Sequence, residues 1–191
     1  MTAKKDFFMN YPADVWIETG TYFGNGISEA LKSGYKRVVS IELSDYYYEI
    51  AKKRYEEDNR VSVYHGHSCS VLPGVLREMS ATHKSMVLWL DAHYSACGTA
   101  GIDDPNPLMK ELSVISEWLV TLENRRLPTI IVDDLRTFRK NVCGFDTDDI
   151  IQAIRQISSD YKFSLHDGCN TCLIDDPSYT EFRNDILVAS I

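Results

Sequence analysis

Acidic residues and a histidine directly follow two apolar segments of this chain, VLWLDAHY and TIIVDDLRTF. If both segments are strands of one parallel sheet, their carboxyl ends lie at the same edge and bring Asp91, His93, Asp133 and Asp134 together. Three buried carboxylates are costly unless they are paired or bind a cation. Oxygen ligands suit a hard dication such as Mg²⁺. The alternative is that one aspartate caps a helix, one contacts a cofactor and one is solvated.

His93 is the member of this group best suited to accept a proton, because an imidazole titrates near neutral pH. We expect it to act as a general base at the strand ends. Asp91 is a second candidate, which could serve as metal ligand and base together. The alternative for His93 is a structural or hydrogen-bonding role beside the site.

A glycine-rich turn lies near the start of the chain, within VWIETGTYFGNGISEALKSGYKRVVSIE. Gly20, Gly24 and Gly26 follow an apolar strand, and glycine lets the backbone approach a ligand closely. Glu42 ends the next strand, 22 residues after Gly20, where it could accept hydrogen bonds from ribose hydroxyls. This order of strand, turn, helix and carboxylate indicates a nucleotide site, for either a dinucleotide or S-adenosylmethionine.

The spacing of the glycines differs from the dinucleotide fingerprint G-x-G-x-x-G. With Glu18 two residues before Gly20, the turn resembles motif I of the class I S-adenosylmethionine-dependent methyltransferases. The resemblance implies that Glu18 and the loop backbone hold the methionine end of the cofactor, that Glu42 holds the ribose, and that His67 and Ser68 lie near the adenine. The cofactor-binding residues it implies are Glu18, Gly20, Thr21, Gly24, Gly26, Glu42, His67, Ser68 and Asp91.

The strand-end segments LDAHY and IVDD are similar to the LDADLY and DDY segments of macrocin O-methyltransferase-like enzymes, which methylate sugar hydroxyls. That resemblance implies a Mg²⁺ ion held by Asp91, Asp133 and Asp134. The chain differs from the family in having His93 in the first segment and Leu135 in the second. Residues 95–107, a loop rich in small side chains, are a candidate lid over the acceptor.

Apolar segments that favour strands alternate with helical patterns through most of the chain, which predicts a mostly parallel sheet covered on both faces. The C-terminal strand-like segments have only short connections, which favours antiparallel pairing. We therefore expect an α/β, Rossmann-like doubly wound sheet with an antiparallel C-terminal edge. The predicted strands are Val15–Thr19, Arg37–Glu42, Val61–His65, Met86–Asp91, Thr129–Asp133, Lys162–His166, Thr171–Ile174 and Asp185–Ile191. The predicted helices are Ile27–Lys32, Asp45–Glu57, Val71–Met79 with Pro73 in its first turn, Leu108–Leu122 and Asp148–Ile157.

The length of 191 residues suits one domain over residues 1–191. A formal net charge of -8 argues against a nucleic-acid partner. No apolar run is long enough to span a membrane, and the N-terminal residues contain no secretory signal. We expect a cytoplasmic protein, and whether it forms a homo-oligomer stays open.

Together these features predict an S-adenosylmethionine-dependent O-methyltransferase that acts on a hydroxyl of a sugar, glycan or similar small acceptor with the help of a divalent metal. One alternative is a metal-independent small-molecule methyltransferase that uses His93 as base. Others are an amine or phenol acceptor, a non-catalytic S-adenosylmethionine-binding module, and an NAD-dependent oxidoreductase, which the glycine spacing disfavours.

Overall fold

The computed structural model describes residues 6–93, 101, 103–123, 126–170 and 179–191. These form a seven-stranded sheet with the strand order β3-β2-β1-β4-β5-β7-β6. Strands β1 to β5 are parallel to one another, and β7 runs antiparallel to both β5 and β6. The predicted doubly wound sheet with an antiparallel C-terminal edge is confirmed.

The elements largely follow the sequence patterns. The strands are β1 Val15–Thr19, β2 Arg37–Glu42, β3 Val61–His65, β4 Met86–Leu90, β5 Thr129–Val132, β6 Lys162–Cys169 and β7 Glu181–Ser190. The α-helices are α1 Asn25–Lys32, α2 Asp45–Arg54, α3 Ser68–Thr82, α4 Leu108–Val120, α5 Lys140–Cys143 and α6 Thr147–Ile157. Two short 3₁₀ helices span Phe7–Asn10 and Leu135–Thr137.

Both faces of the central strands are covered, which explains their continuous apolar sequences. In β1, Val15 and Ile17 belong to the core on one face, with side chains from α3, α4 and α6. Trp16 points to the other face, where it packs in a second core with Phe8 of the N-terminal 3₁₀ helix and Ile27 of α1. Alternate residues of a strand point to opposite faces, so a strand buried on both faces needs apolar residues throughout.

Helix α3 begins three residues earlier than its sequence predicts. Helix α3 starts at Ser68, because the ring Nδ1 of His67 accepts a hydrogen bond from the backbone N–H of Cys69 (3.3 Å) and caps the first turn. Pro73 therefore lies inside the helix and not in its first turn. The prediction that Pro73 lies in the first turn was therefore wrong, because the helix begins earlier. Proline has no N–H, so the helix lacks the hydrogen bond from residue 73 to the carbonyl four residues earlier.

The other differences concern element ends, apart from α5 and the two 3₁₀ helices, which the sequence patterns do not predict. The strand expected at Thr171–Ile174 lies outside the described residues, as do residues 95–100 and 102 of the candidate lid. The antiparallel strands are longer than predicted, because polar residues pair at their outer ends, beyond the apolar core. In the described part of the chain, every helix is too short or too polar to cross a bilayer.

Candidate functional site

A cavity of about 360 Å³ opens between the carboxyl ends of β1 and β4. The strand order reverses between these two neighbours, and ligands of doubly wound sheets bind at such a point. Sequence-predicted residues in its lining are Glu18, Gly20, Thr21, Gly26, Glu42, His67, Ser68, Asp91, His93 and Asp134. Gly24 and Asp133 are not among the described residues that line it.

The glycine loop, residues 20–26, runs from the end of β1 into the first turn of α1 and forms one wall of this cavity. Gly20 has a φ of 85°, and a Cβ built there would lie 2.3 Å from the backbone oxygen of Asp91. A Cβ built on Gly26 would lie 2.0 Å from Oε2 of Glu18. Glycine is thus required at both positions, because a neighbouring group already occupies the space of a side chain.

Gly24 has a different function from the other two glycines. It has a φ of 77° and precedes the first residue of α1, and a Cβ there would lie 2.8 Å from the ring of Tyr55. The Tyr55 hydroxyl also donates to the Gly24 carbonyl (2.7 Å). Gly24 therefore shapes the turn and packs against Tyr55, the residue that follows α2, and its predicted contact with a cofactor stays a prediction.

Glu42 holds the glycine loop from the end of β2. Its Oε2 accepts a hydrogen bond from the backbone N–H of Tyr22 and its Oε1 accepts one from Ser44, each at 2.8 Å. The side chain is buried to 7% exposure but lines the cavity. Each carboxylate oxygen can accept more than one hydrogen bond, so Glu42 retains capacity for ribose hydroxyls.

Glu18 lies below the glycine loop and is 2% exposed. Its Oε1 accepts a hydrogen bond from the Ser40 hydroxyl (2.7 Å), and that hydroxyl also contacts Thr21. Burial raises the pKa of Glu18 to about 8, because the charged form loses its hydration. At neutral pH the carboxyl is therefore largely protonated in the absence of a positively charged ligand.

The acid–histidine cluster, Asp91, His93 and Asp134, forms another part of the lining. Ring atom Nδ1 of His93 lies 3.2 Å from Oδ1 of Asp91, and Nε2 lies 3.1 Å from Oδ2 of Asp134. Burial lowers the pKa of His93, but hydrogen bonds with Asp134 and Asp91 outweigh it and raise the pKa to about 10. The same contacts and the nearby Arg136 lower the pKa of Asp134 despite its burial. The cluster thus holds an imidazolium between two carboxylates.

The three aspartates predicted as metal ligands divide between two groups that share Asp134. Potential ligand atoms of Asp91, His93 and Asp134 lie within 4.8 Å of one another, and so do those of Asp133, Asp134 and Asp185. In the second group Arg136 donates to both carboxylate oxygens of Asp185, from its backbone N–H (3.0 Å) and its guanidinium, which also pairs with Asp134. The second group is therefore already paired with a cationic side chain, whereas the first faces the cavity.

Some functional candidates gave no clear signal in the sequence. Asp185 of the antiparallel strand β7 pairs with Arg136 beside Asp134, and Glu111 in the first turn of α4 lines a small cavity with Asp91 and His93. Asp104 pairs with His67 (3.2 Å) and Lys110 (2.8 Å) beside the cavity. Tyr47 belongs to the aromatic run DYYYE, which could stack on adenine or a sugar but whose helical spacing favours packing on the sheet; it lines the cavity and packs against Tyr22.

No protein-family model matches the chain, and no curated protein sequence matches it. Among solved structures, it is similar to an O-methyltransferase from Bacillus cereus in complex with SAH (TM-score 0.54, 18% identity, 98% of this chain and 78% of that one). It is also similar to precorrin-6y C5,15-methyltransferase from Geobacter metallireducens (TM-score 0.56, 9% identity, 94% of this chain and 80% of that one). A third similar structure is precorrin 8w decarboxylase from Methanobacterium thermoautotrophicum (TM-score 0.50, 16% identity, 94% of this chain and 81% of that one).

The chain has the fold of these enzymes. They include two methyltransferases and a decarboxylase, so one fold carries different reactions. The choice among reactions therefore depends on the side chains that line the cavity.

Proposed function

We propose that this chain is an S-adenosylmethionine-dependent methyltransferase that acts on a hydroxyl of a sugar, glycan or similar small acceptor. The observation that carries the proposal is that Glu18, the glycine loop and Glu42 line the same cavity as the acid–histidine cluster. Its volume of about 360 Å³ is within the range of small-ligand sites. The structure of the Bacillus cereus enzyme is a complex with SAH, which supports the choice of cofactor.

The glycine loop side of the cavity would bind the cofactor. S-adenosylmethionine supplies a methyl group that is already activated by its sulfonium, so the chain must hold it in line with the acceptor. Glu42 would accept hydrogen bonds from the ribose while it keeps the loop in place. Glu18 would face the methionine end, where an ammonium group would favour the ionised carboxylate over the protonated form.

The acid–histidine cluster would serve the acceptor. A hydroxyl is a weak acid, and a divalent cation would supply the charge that lowers its pKa. Asp91 and Asp134 would hold that cation, since their carboxylates lie on either side of the same ring and both line the cavity. Asp133 would support Asp134 from behind, because its Oδ1 accepts the Asp134 backbone N–H at 2.8 Å. The sugar class rests on the LDAHY and IVDD segments.

A metal-independent reaction with His93 as base is the second candidate. A base must be unprotonated before it accepts a proton. The two flanking carboxylates raise the pKa of His93 to about 10, so its ring is protonated at neutral pH. This observation favours the cation-assisted form over the form in which His93 is the sole base.

The cofactor proposal is tested by calorimetric titration of the purified chain with S-adenosylhomocysteine and, separately, with NAD. We expect S-adenosylhomocysteine to bind and to raise the melting temperature, because a ligand that binds only the folded state stabilises it. Binding of NAD without binding of S-adenosylhomocysteine would replace the proposal with an oxidoreductase.

The reaction is tested by screening hydroxyl acceptors for transfer of a labelled methyl group from S-adenosylmethionine. Sugars and glycans, phenols and amines form three acceptor panels. We expect activity with the first panel, loss of activity in EDTA, and recovery when a divalent cation is added. Full activity in EDTA would remove the cation from the proposal, and activity with amines alone would remove the hydroxyl acceptor.

A further inference from the structure

His93 occupies the position of a ligand between the two proposed metal-binding carboxylates. Its ring nitrogens lie 3.2 Å from Asp91 Oδ1 and 3.1 Å from Asp134 Oδ2. The side chain is 9% exposed, and the Phe138 ring packs edge-on against it with centroids 6.3 Å apart. A ring held in this way keeps its nitrogens directed at the two carboxylates, which is the preorganisation that a metal ligand needs.

A second feature of this region is a buried carboxyl that lines a small cavity beside the cluster. The side chain of Glu111 is 1% exposed, and within the described residues its Oε1 has no hydrogen-bond partner. Glu111 lines a small cavity of about 10 Å³ together with Asp91, His93 and Phe138. Ser68 and Thr19 hydrogen-bond the carboxyl of Glu111, which leaves one buried oxygen short of a partner. A cation bound by the neighbouring Asp91 would favour the ionised form of this carboxyl.

We infer that His93 is a nitrogen ligand of the cation site, together with Asp91 and Asp134, and that the site selects a first-row transition-metal dication over Mg²⁺. The inference rests on the cation part of the proposed function. Imidazole suits late first-row metals such as cobalt and zinc, and Mn²⁺ generally binds such a site more weakly than they do. Mg²⁺ prefers oxygen ligands alone. His93 would therefore hold the metal and leave proton removal to Asp91.

The test uses the full chain, stripped of metal by a chelator and saturated with S-adenosylhomocysteine. Calorimetric titration with Co²⁺ and with Mg²⁺ gives the ratio of the two affinities. Electron spin-echo spectroscopy of bound Mn²⁺ reports directly whether a nitrogen atom is coordinated. We expect nitrogen coupling in the wild type and its disappearance in His93→Asp, which supplies a third carboxylate. In that variant the preference for Co²⁺ over Mg²⁺ should fall by about 10-fold or more.

His65 provides the matched control. It also lies beside an aspartate, with Nε2 at 3.0 Å from Asp45 Oδ1, but the pair is exposed and outside the cavity lining. His65→Asp should keep the nitrogen coupling and the affinity ratio of the wild type. If His93→Asp does not fold, as judged by its melting curve, His93→Gln and isotopic ¹⁵N labelling of the wild-type histidines give the same spectroscopic readout.

Each outcome separates this inference from the proposed function. Mn²⁺ that binds with oxygen ligands only, or nitrogen coupling that persists in His93→Asp, overturns the inference and leaves cation-assisted methyl transfer in place. Failure of every cation to bind the wild type overturns the inference and the cation part, while binding of S-adenosylhomocysteine still supports methyl transfer. Loss of nitrogen coupling in His93→Asp alone supports the inference even if no acceptor is found.

Discussion

The glycine loop and the acid–histidine cluster line the same cavity but are held by different forces. The loop is positioned by sterics and by neutral or backbone hydrogen bonds: Gly20 fits against Asp91, and Glu42 accepts two backbone N–H groups. The cluster is positioned by charge, with the protonated ring of His93 between two carboxylates. The loop should therefore be sensitive to added volume and tolerant of lost charge, and the cluster should show the opposite behaviour.

The largest effect is expected from added volume in the loop. Gly20→Ala places a Cβ 2.3 Å from a backbone oxygen at a φ of 85°, and neither backbone can move without disturbing the sheet. We expect a loss of about 4 kcal/mol in the free energy of unfolding, or failure to fold, measured by urea denaturation. Gly34→Ala is the control, since Gly34 has a φ of 91° but no atom within 4 Å of its added Cβ. Equal losses in both variants would show that contact with Asp91 is unimportant.

The second effect concerns charge in the cluster. From sequence alone, Asp134→Asn would be expected to relieve repulsion among carboxylates and raise the melting temperature of the metal-free protein. The ion pairs of Asp134 with His93 and Arg136 reverse that expectation. We expect the free energy of unfolding of chelator-treated Asp134→Asn to fall by about 3 kcal/mol, because the side chains of His93 and Arg136 both lose a buried anionic partner. Asp45→Asn, in an exposed pair with His65, should change little. Stabilisation by Asp134→Asn would refute the paired cluster.

The same carboxylate-to-amide change should have the opposite sign in the loop region. Burial raises the pKa of Glu18 from 4.5 to about 8, so the folded chain binds this proton more tightly than the unfolded chain. The stability that Glu18 contributes is complete below about pH 4.5 and is lost as the pH rises to about 8. As the pH rises from 5 to 8, the free energy of unfolding of Glu18→Gln should increase by about 2 kcal/mol relative to that of the wild type.

Urea denaturation at both pH values measures this difference. Glu49→Gln, on the exposed side of α2, should follow the wild-type pH dependence and serves as the control. Parallel pH profiles for Glu18→Gln and the wild type would mean that Glu18 is ionised in the folded protein.

The smallest effect on stability is expected at Glu42. Glu42→Ala removes an acceptor from the N–H groups of Tyr22 and Ser44, which should cost about 1 kcal/mol. Its effect on S-adenosylhomocysteine affinity should be larger, about 10-fold or more, because a ribose contact and the loop position are lost together. Calorimetric titration measures the affinity. The affinity of Glu42→Gln, which keeps one acceptor oxygen, should lie between those of the wild type and Glu42→Ala. Unchanged affinity in Glu42→Ala would exclude Glu42 from the cofactor site.

Local pattern was sufficient for the order of elements and for the glycine loop. Alternating apolar strands and amphipathic helices predict the layers, since the chain can bury such strands only within a covered sheet. Glycines after the first strand and a carboxylate at the end of the second indicate the ligand site, because both lie at the carboxyl ends of neighbouring strands. Pattern placed element ends less accurately: the start of α3 depends on the side chain of His67.

The amino-acid sequence by itself determined the sheet, the turn and the presence of acids at the strand ends. Only the tertiary structure decided how those acids are grouped: His93 separates Asp91 from Asp134, Arg136 joins Asp134 to Asp185, and Glu111 is buried nearby. The physical reason is that the two kinds of interaction act between different sets of residues. Strand and turn preferences depend on neighbours along the chain, whereas pairing among charges depends on distances of a few ångströms between residues from β4, β5, β7 and α4.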